Sequence, residues 1–138
     1  MPRVADILAG KIGQVHTLSA DHSVYDAVQR MVEHNIGSLV VLEDGLIAGI
    51  FTERDVLYKV AGTGLDPATR IETLMTPRPT TLKPGHRLAD ALNKMVADGC
   101  RHIPIVDEGG RPLGVVSVRR IVDGGAAANN LLMQFQAD

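Results

Sequence analysis

The strongest constraint on this chain is that it is written twice. Sliding residues 17–45 by 64 positions onto 81–109 makes eight of 29 residues identical, where ordinary residue usage gives about two by chance. The identities are Thr17/Thr81, Leu18/Leu82, His22/His86, Asp26/Asp90, Ala27/Ala91, Met31/Met95, Val32/Val96 and Gly45/Gly109. One inserted residue near Gly110 moves the offset to 65, and Gly49/Gly114 and Arg54/Arg119 then coincide. Val24/Leu88, Val28/Leu92, Leu39/Ile103, Ile50/Val115 and Thr52/Ser117 are conservative pairs, and Val4-Ala5-Asp6-Ile7-Leu8 corresponds to Ile71-Glu72-Thr73-Leu74-Met75. Such a chain must use one supersecondary unit twice. The expected division is a first copy over 1–61, a Gly/Pro-containing linker over 62–69, a second copy over 70–125 and a tail over 126–138.

Each copy changes its hydrophobic period in the same order. Val24, Ala27, Val28, Met31 and Val32 fall at i, i+3, i+4, i+7 and i+8, one apolar stripe of a helix. Ser23 with Asp26 three residues on is a capping-box start, and Gly37 follows the expected end. Leu88, Ala91, Leu92, Met95 and Val96 repeat the stripe. Two strand-like runs around a Gly-containing hairpin follow, Ser38–Leu42 and Leu46–Phe51 in one copy, Ile103–Val106 and Leu113–Val116 in the other. A second helix starts at Thr52 and runs to Val60, with its counterpart starting at Ser117. With short strands at Val15–Leu18 and Thr80–Leu82, each copy reads β-α-β-β-α. The tail reads as helical, with Leu131, Leu132, Met133 and Phe135 offered to a partner.

Composition narrows the function classes. The 138 residues are 45% apolar and 22% charged, ordinary for a globular protein with a real core. No stretch approaches 18 apolar residues, so no membrane span is expected. Met1-Pro2-Arg3-Val4-Ala5-Asp6 reaches an acid before any apolar run, so the expected compartment is the cytoplasm. A net charge of −2 gives no general pull towards nucleic acid. Tyr25, Phe51, Tyr58 and Phe135 are too few to build a base-stacking platform. Cys100 is the only cysteine, which excludes an internal disulfide and a multi-thiolate metal site.

With the duplication and the element order in place, the chain resembles a tandem pair of cystathionine-β-synthase-type (CBS) domains, the Bateman module. The matching segments are Ile71-Glu72-Thr73-Leu74-Met75-Thr76-Pro77, Arg101-His102-Ile103-Pro104-Ile105-Val106-Asp107 and Gly49-Ile50-Phe51-Thr52-Glu53-Arg54-Asp55. The resemblance spans residues 1–125. It implies an α+β fold of two β-α-β-β-α repeats about a pseudo-twofold axis, packed through their sheets, with two clefts between them. It also implies adenosine ligands in those clefts, namely AMP, ADP, ATP, S-adenosylmethionine or a dinucleotide, and a homodimer.

A Thr with an acid three residues later is sufficient as a helix cap, so Thr52 and Asp55 need no ligand to explain them. The resemblance adds that Asp55 takes the ribose diol through an exposed carboxylate and Thr52 touches phosphate, with Arg54 beside them. It assigns the opposing wall to Cys100, Arg101, His102 and Pro104, with Arg101 and His102 as phosphate donors. The backbone at Pro79, Thr80 and Thr81 would read the adenine edge. The second copy departs from this pattern: Arg120 stands where the ribose acid belongs, and a guanidinium accepts no hydrogen bond. The second cleft, with His16, Gly37, Ser38, Ser117 and Arg120, is therefore expected to be the weaker one.

Other constellations carry less. His22 and His86 read as polar residues before equivalent helices, and His34 as a surface residue. Cys100 and His102 make only two candidate ligands, too few for a metal site. No third group completes a cysteine nucleophile, and Arg119-Arg120 is one basic doublet in an acidic chain. The expectation is a stand-alone regulatory, energy-sensing module, not an enzyme and without a required cofactor. It would bind an adenosine ligand and signal to an effector protein. The alternative is a ligand-free dimerisation scaffold in which Thr52 and Asp55 only cap a helix.

Overall fold

A computed structural model describes residues 2–8, 15–118 and 121. The chain divides into two compact units: one is His16–Pro79, and the other combines the N-terminal segment with the chain from Thr80 onward.

In the unit His16–Pro79, β1 (Thr17–Ser19) pairs in parallel with β2 (Ser38–Glu43), which pairs antiparallel with β3 (Leu46–Thr52). β4 (Thr76–Pro77) closes the order β1-β2-β3-β4 by pairing antiparallel with β3. Asp44 and Gly45 both adopt positive φ, at 53° and 79°, which gives the β2–β3 hairpin the primed two-residue turn that matches strand twist. α2 (Val24–His34) crosses from β1 to β2. Its capping box is formed: Asp26 N–H donates to Ser23 Oγ at 3.1 Å, and Ser23 N–H to Asp26 Oδ2 at 3.2 Å.

The buried arc of α2 is narrower than the sequence stripe. Val24, Ala27 and Met31 are buried, Val28 is half-buried and Val32 is 73% exposed. Eight residues at 100° each turn Val32 roughly 80° past Val24, to the edge of the arc. The other unit repeats this: its helix α4 (Leu88–Asp98) buries Leu88, Ala91, Leu92 and Met95 and leaves Val96 exposed. α2 ends before Gly37, as the sequence indicated, but its left-handed cap is a different residue. Asn35, with φ 50°, takes the left-handed position that Gly99, with φ 67°, takes after α4.

After β3 the chain forms one α-turn, α3 (Glu53–Asp55), and continues as a π-helix over Val56–Ala61, where the sequence indicated an uninterrupted α-helix. A short 3-10 turn, Ile71–Thr73, precedes β4. Ile71 is fully buried with Leu18, Val24, Met31, Leu39 and Phe51.

The unit containing Thr80 onward has α4 and the antiparallel pair β5 (His102–Val106) and β6 (Pro112–Ser117). The strand expected at Thr80–Leu82 is reduced to a parallel bridge from Leu82 to Ile105. Its hairpin is longer, and the Asp107 carboxylate accepts the Gly109 and Arg111 N–H groups at 2.9 Å each, which accommodates the inserted residue. The short N-terminal helix α1 (Val4–Ile7) belongs to this unit, with Val4 and Leu8 buried among Leu82, Leu88, Ile103 and Val116. Val118 and Ile121 are helical, as expected after Ser117. The expected helical tail lies outside the described residues.

The period of the sequence and the compact unit of the structure are thus different divisions. Val4 N–H donates to the His86 carbonyl, and Leu88 N–H to the Pro2 carbonyl. The equivalent bonds in the other unit run from Ile71 N–H to His22 and from Val24 N–H to Thr69. Each long helix has a first-turn N–H satisfied at the start of the other copy, by Pro2 for α4 and by Thr69, the last linker residue, for α2.

Candidate functional site

Asp55 is the one buried charged residue among the described residues, at 9% exposure. Its position follows from local chemistry. β3 ends at Thr52, whose extended backbone and hydroxyl cap the turn that follows. Asp55 N–H donates to Thr52 Oγ1 at 3.3 Å, while Asp55 Oδ2 accepts the Thr52 N–H at 2.9 Å and the Thr52 hydroxyl at 3.2 Å. The other carboxylate oxygen is engaged too: Lys59 Nζ lies 3.1 Å from Asp55 Oδ1. The same ammonium donates to the Leu74 carbonyl at 2.9 Å. The carboxylate expected to be exposed is therefore sheltered and oriented on both oxygens, because the i+3 cap and the i+4 lysine converge on it.

The candidate residues divide between the units. Thr52, Arg54, Asp55 and Pro79 lie in His16–Pro79, together with His16, Gly37 and Ser38. Within that unit the ladder sets Ser38 opposite Thr52, and Glu53 N–H donates to the Gly37 carbonyl at 2.9 Å. Gly37 and Ser38, assigned from sequence to the weaker set, therefore adjoin the Thr52 cap. Arg54 is exposed, with its guanidinium carbon 5.3 Å from the Tyr58 ring centroid. His16 is exposed, and its ring centroid lies 4.3 Å from that of His34.

Thr80, Thr81, Cys100, Arg101, His102, Pro104 and Ser117 lie in the other unit. There His102 stands opposite Ser117, and Val118 N–H donates to the Arg101 carbonyl at 3.2 Å, the same arrangement as Ser38 with Thr52 and Gly37 with Glu53. Thr80 donates its hydroxyl to Asp98 Oδ2 at 2.6 Å, and Pro104 is buried. Burial, and then the Asp98 carboxylate, push the Cys100 thiol above its ordinary range. A protonated, half-buried thiol packed on the core is a poor nucleophile and metal ligand. No group of three metal-ligating side chains occurs among the described residues. No helix among them is long and apolar enough to cross a membrane. Arg120 lies outside the described residues.

Lys59 and the Leu74 carbonyl were not among the residues singled out from sequence. The signal was present: an acid and a lysine four apart after a helix start pair across one turn.

Comparison with known proteins supports the repeat. The family model for the CBS domain matches twice, over residues 4–62 and 71–126. The chain is similar to the CBS domain-containing protein CBSX3, mitochondrial, of Arabidopsis thaliana, with 36% identity over 75% of this chain and 53% of that protein. It therefore spans about half the length of that relative. Among solved structures, a protein with CBS domains from Burkholderia ambifaria superposes with a TM-score of 0.82 at 34% identity, over 91% of this chain and 94% of that one. The CBS domain pair of protein MJ0100, solved in complex with 5′-methylthioadenosine and S-adenosyl-L-methionine, gives a TM-score of 0.78 at 26% identity, over 88% and 97%. Two matches of the family model, one to each copy, with a fold shared over 91% of the chain, place this chain in the CBS-domain family as a tandem pair.

Proposed function

We propose that this chain is a regulatory module that binds an adenosine ligand through Asp55 and conveys its occupancy to a partner protein, without catalysing a reaction. The observation that carries the reading is the Asp55 carboxylate, held in place by Thr52 at the start of α3. A fixed carboxylate suits a vicinal diol, which presents two hydroxyl donors to one acceptor group. The adenosine compounds bound by the related MJ0100 pair support a ribose-bearing ligand. On this reading the Thr52 hydroxyl, Arg101 and His102 serve phosphate or another 5′ substituent, and backbone from Pro79 to Thr81 serves adenine. The module acts as a homodimer and hands its signal to an effector.

The test is a thermal-shift panel with AMP, ADP, ATP, S-adenosylmethionine, 5′-methylthioadenosine, NAD and guanosine counterparts, run on the native chain and on Asp55→Ala. A ligand at 100 times its Kd stabilises the native state by about 2.7 kcal/mol. The expected result is a shift with at least one adenosine compound that Asp55→Ala loses. An equal shift in that variant sinks the assignment of Asp55.

A second reading has its own observation. Both Asp55 oxygens are engaged inside the chain, by Thr52 and by Lys59, as a purely structural cap requires. The chain would then be a ligand-free interaction scaffold. Asp55→Ala would lower stability by about 0.5–2 kcal/mol and change nothing else, and no compound in the panel would shift the native chain.

A further inference from the structure

Lys59 stands between two acceptors from different parts of its unit. Its ammonium is 3.1 Å from Asp55 Oδ1 and 2.9 Å from the Leu74 carbonyl, and its side chain remains 42% exposed. A carboxylate offers about four acceptor positions. In Asp55, Oδ2 already serves the Thr52 N–H and hydroxyl, and Oδ1 serves Lys59. One position is left, whereas a ribose diol needs two. The Thr52 N–H cannot leave without undoing the cap that starts α3, and the Thr52 hydroxyl stays on Oδ2 when the ligand carries no phosphate to draw it away. The exposed ammonium can, because water replaces its partner at little cost.

We propose that Lys59 is an internal competitor for Asp55, so that ligand binding displaces the ammonium and loosens the segment Leu74–Pro79. The proposal rests on the reading that Asp55 receives the ribose hydroxyls. Without the carboxylate charge, the ammonium keeps only the neutral Leu74 carbonyl and exchanges it readily for water. Leu74 sits directly between the 3-10 turn Ile71–Thr73 and β4, the short edge strand paired to β3 at Gly49 and Ile50. The contact therefore couples the occupancy of Asp55 to the segment leading out of this unit, towards Thr80 where the other unit resumes. Lys59 sets both the affinity of the site and the mobility of that segment.

The experiment uses 5′-methylthioadenosine, whose lack of phosphate removes any direct attraction to the ammonium. Calorimetric titration of the native chain, Lys59→Met and Asp55→Asn is combined with hydrogen exchange over residues 71–79. Lys59→Met is expected to bind about two- to fivefold tighter, the range of a partly exposed ion pair. Exchange over 71–79 is expected to rise on binding in the native chain and to be raised already in free Lys59→Met. Lys59→Gln, uncharged but still able to donate to Leu74, is expected to bind tighter too and serves if Lys59→Met does not fold. Loss of binding in Asp55→Asn, with equal or weaker binding in both lysine variants, overturns the competitor and leaves the Asp55 reading standing. Undiminished binding by Asp55→Asn, or no binding of any adenosine compound of the panel by the native chain, overturns that reading and the competitor with it.

Discussion

Leu8 lies on Gly114 with little room for a β-carbon between them: a Cβ on Gly114 would stand 3.1 Å from Leu8 Cδ2. The corresponding glycine, Gly49, is closed off more tightly, since a Cβ there would meet Met75 Cγ at 2.7 Å and the Thr76 carbonyl oxygen at 2.8 Å. Leu8 and Met75 occupy matching places in the two copies, as do Gly114 and Gly49. The identity of the two glycines therefore reflects a packing rule, in which the segment opening one copy runs across the hairpin of the other.

The two glycines should respond unequally to the same substitution. At Gly114 the neighbour is the end of a leucine side chain, which can rotate aside. At Gly49 it includes backbone of β4, which cannot move without breaking the Gly49–Pro77 pairing. Gly49→Ala is expected to lower unfolding free energy by about 1–3 kcal/mol, and Gly114→Ala by distinctly less. Urea unfolding of both variants checks the order, and a larger loss at Gly114 would refute the packing argument.

The helix ends offer a matched pair. Asn35 and Gly99 both adopt the left-handed conformation, at φ 50° and 67°. Asn35→Gly should be neutral or slightly stabilising, whereas Gly99→Ala should cost about 1 kcal/mol, because a β-carbon is disfavoured there. Melting temperatures of the two variants decide the matter, and a neutral Gly99→Ala would contradict it.

Cys100 should be slow to alkylate. Burial and the Asp98 carboxylate hold its thiol above the ordinary range, and the reacting species is the thiolate. The rate with iodoacetamide is expected to keep rising beyond pH 9, and Asp98→Asn should shift the profile to lower pH. A plateau near pH 7 would contradict the assignment.

Much of the fold was legible because the duplication supplied two readings of each element. Ser23 with Asp26 announced a cap that forms, and the β2–β3 hairpin lies where Asp44-Gly45 indicated. The partner of Val4 was not legible, because similarity aligns Val4 with Ile71 but says nothing about which hairpin each covers. Val32 misled because periodicity counts apolar residues without measuring the width of the buried arc. The site was legible as residue types, since Thr52 and Asp55 stand at cap spacing. Its shelter was not: whether a carboxylate one turn into a helix is open or closed depends on how Lys59 turns back to it and on Leu74, which the backbone brings near.

The tilted ring pair His16 and His34 should make stability sensitive to acid. Partial desolvation of the exposed ring, then the neighbouring His34, then Arg30 hold the His16 pKa below its ordinary 6.5. Arg30 is fixed nearby by donating to the Thr17 carbonyl at 2.9 Å, and the His16 carbonyl accepts the Val40 N–H at 3.2 Å in line with the β1–β2 ladder. As pH falls through 6.5 the unfolded chain takes up a proton that the folded chain resists, so the unfolded state binds more protons and stability falls. The contribution of His16 is present in full above 6.5 and is lost on acidification towards its folded value. Urea midpoints at pH 7.5 and 5.5 are expected to differ slightly in the native chain and to differ less in His16→Phe. In His34→Phe the difference should shrink but persist, since partial desolvation and Arg30 remain. An undiminished pH dependence in His16→Phe would assign the acid sensitivity to another group.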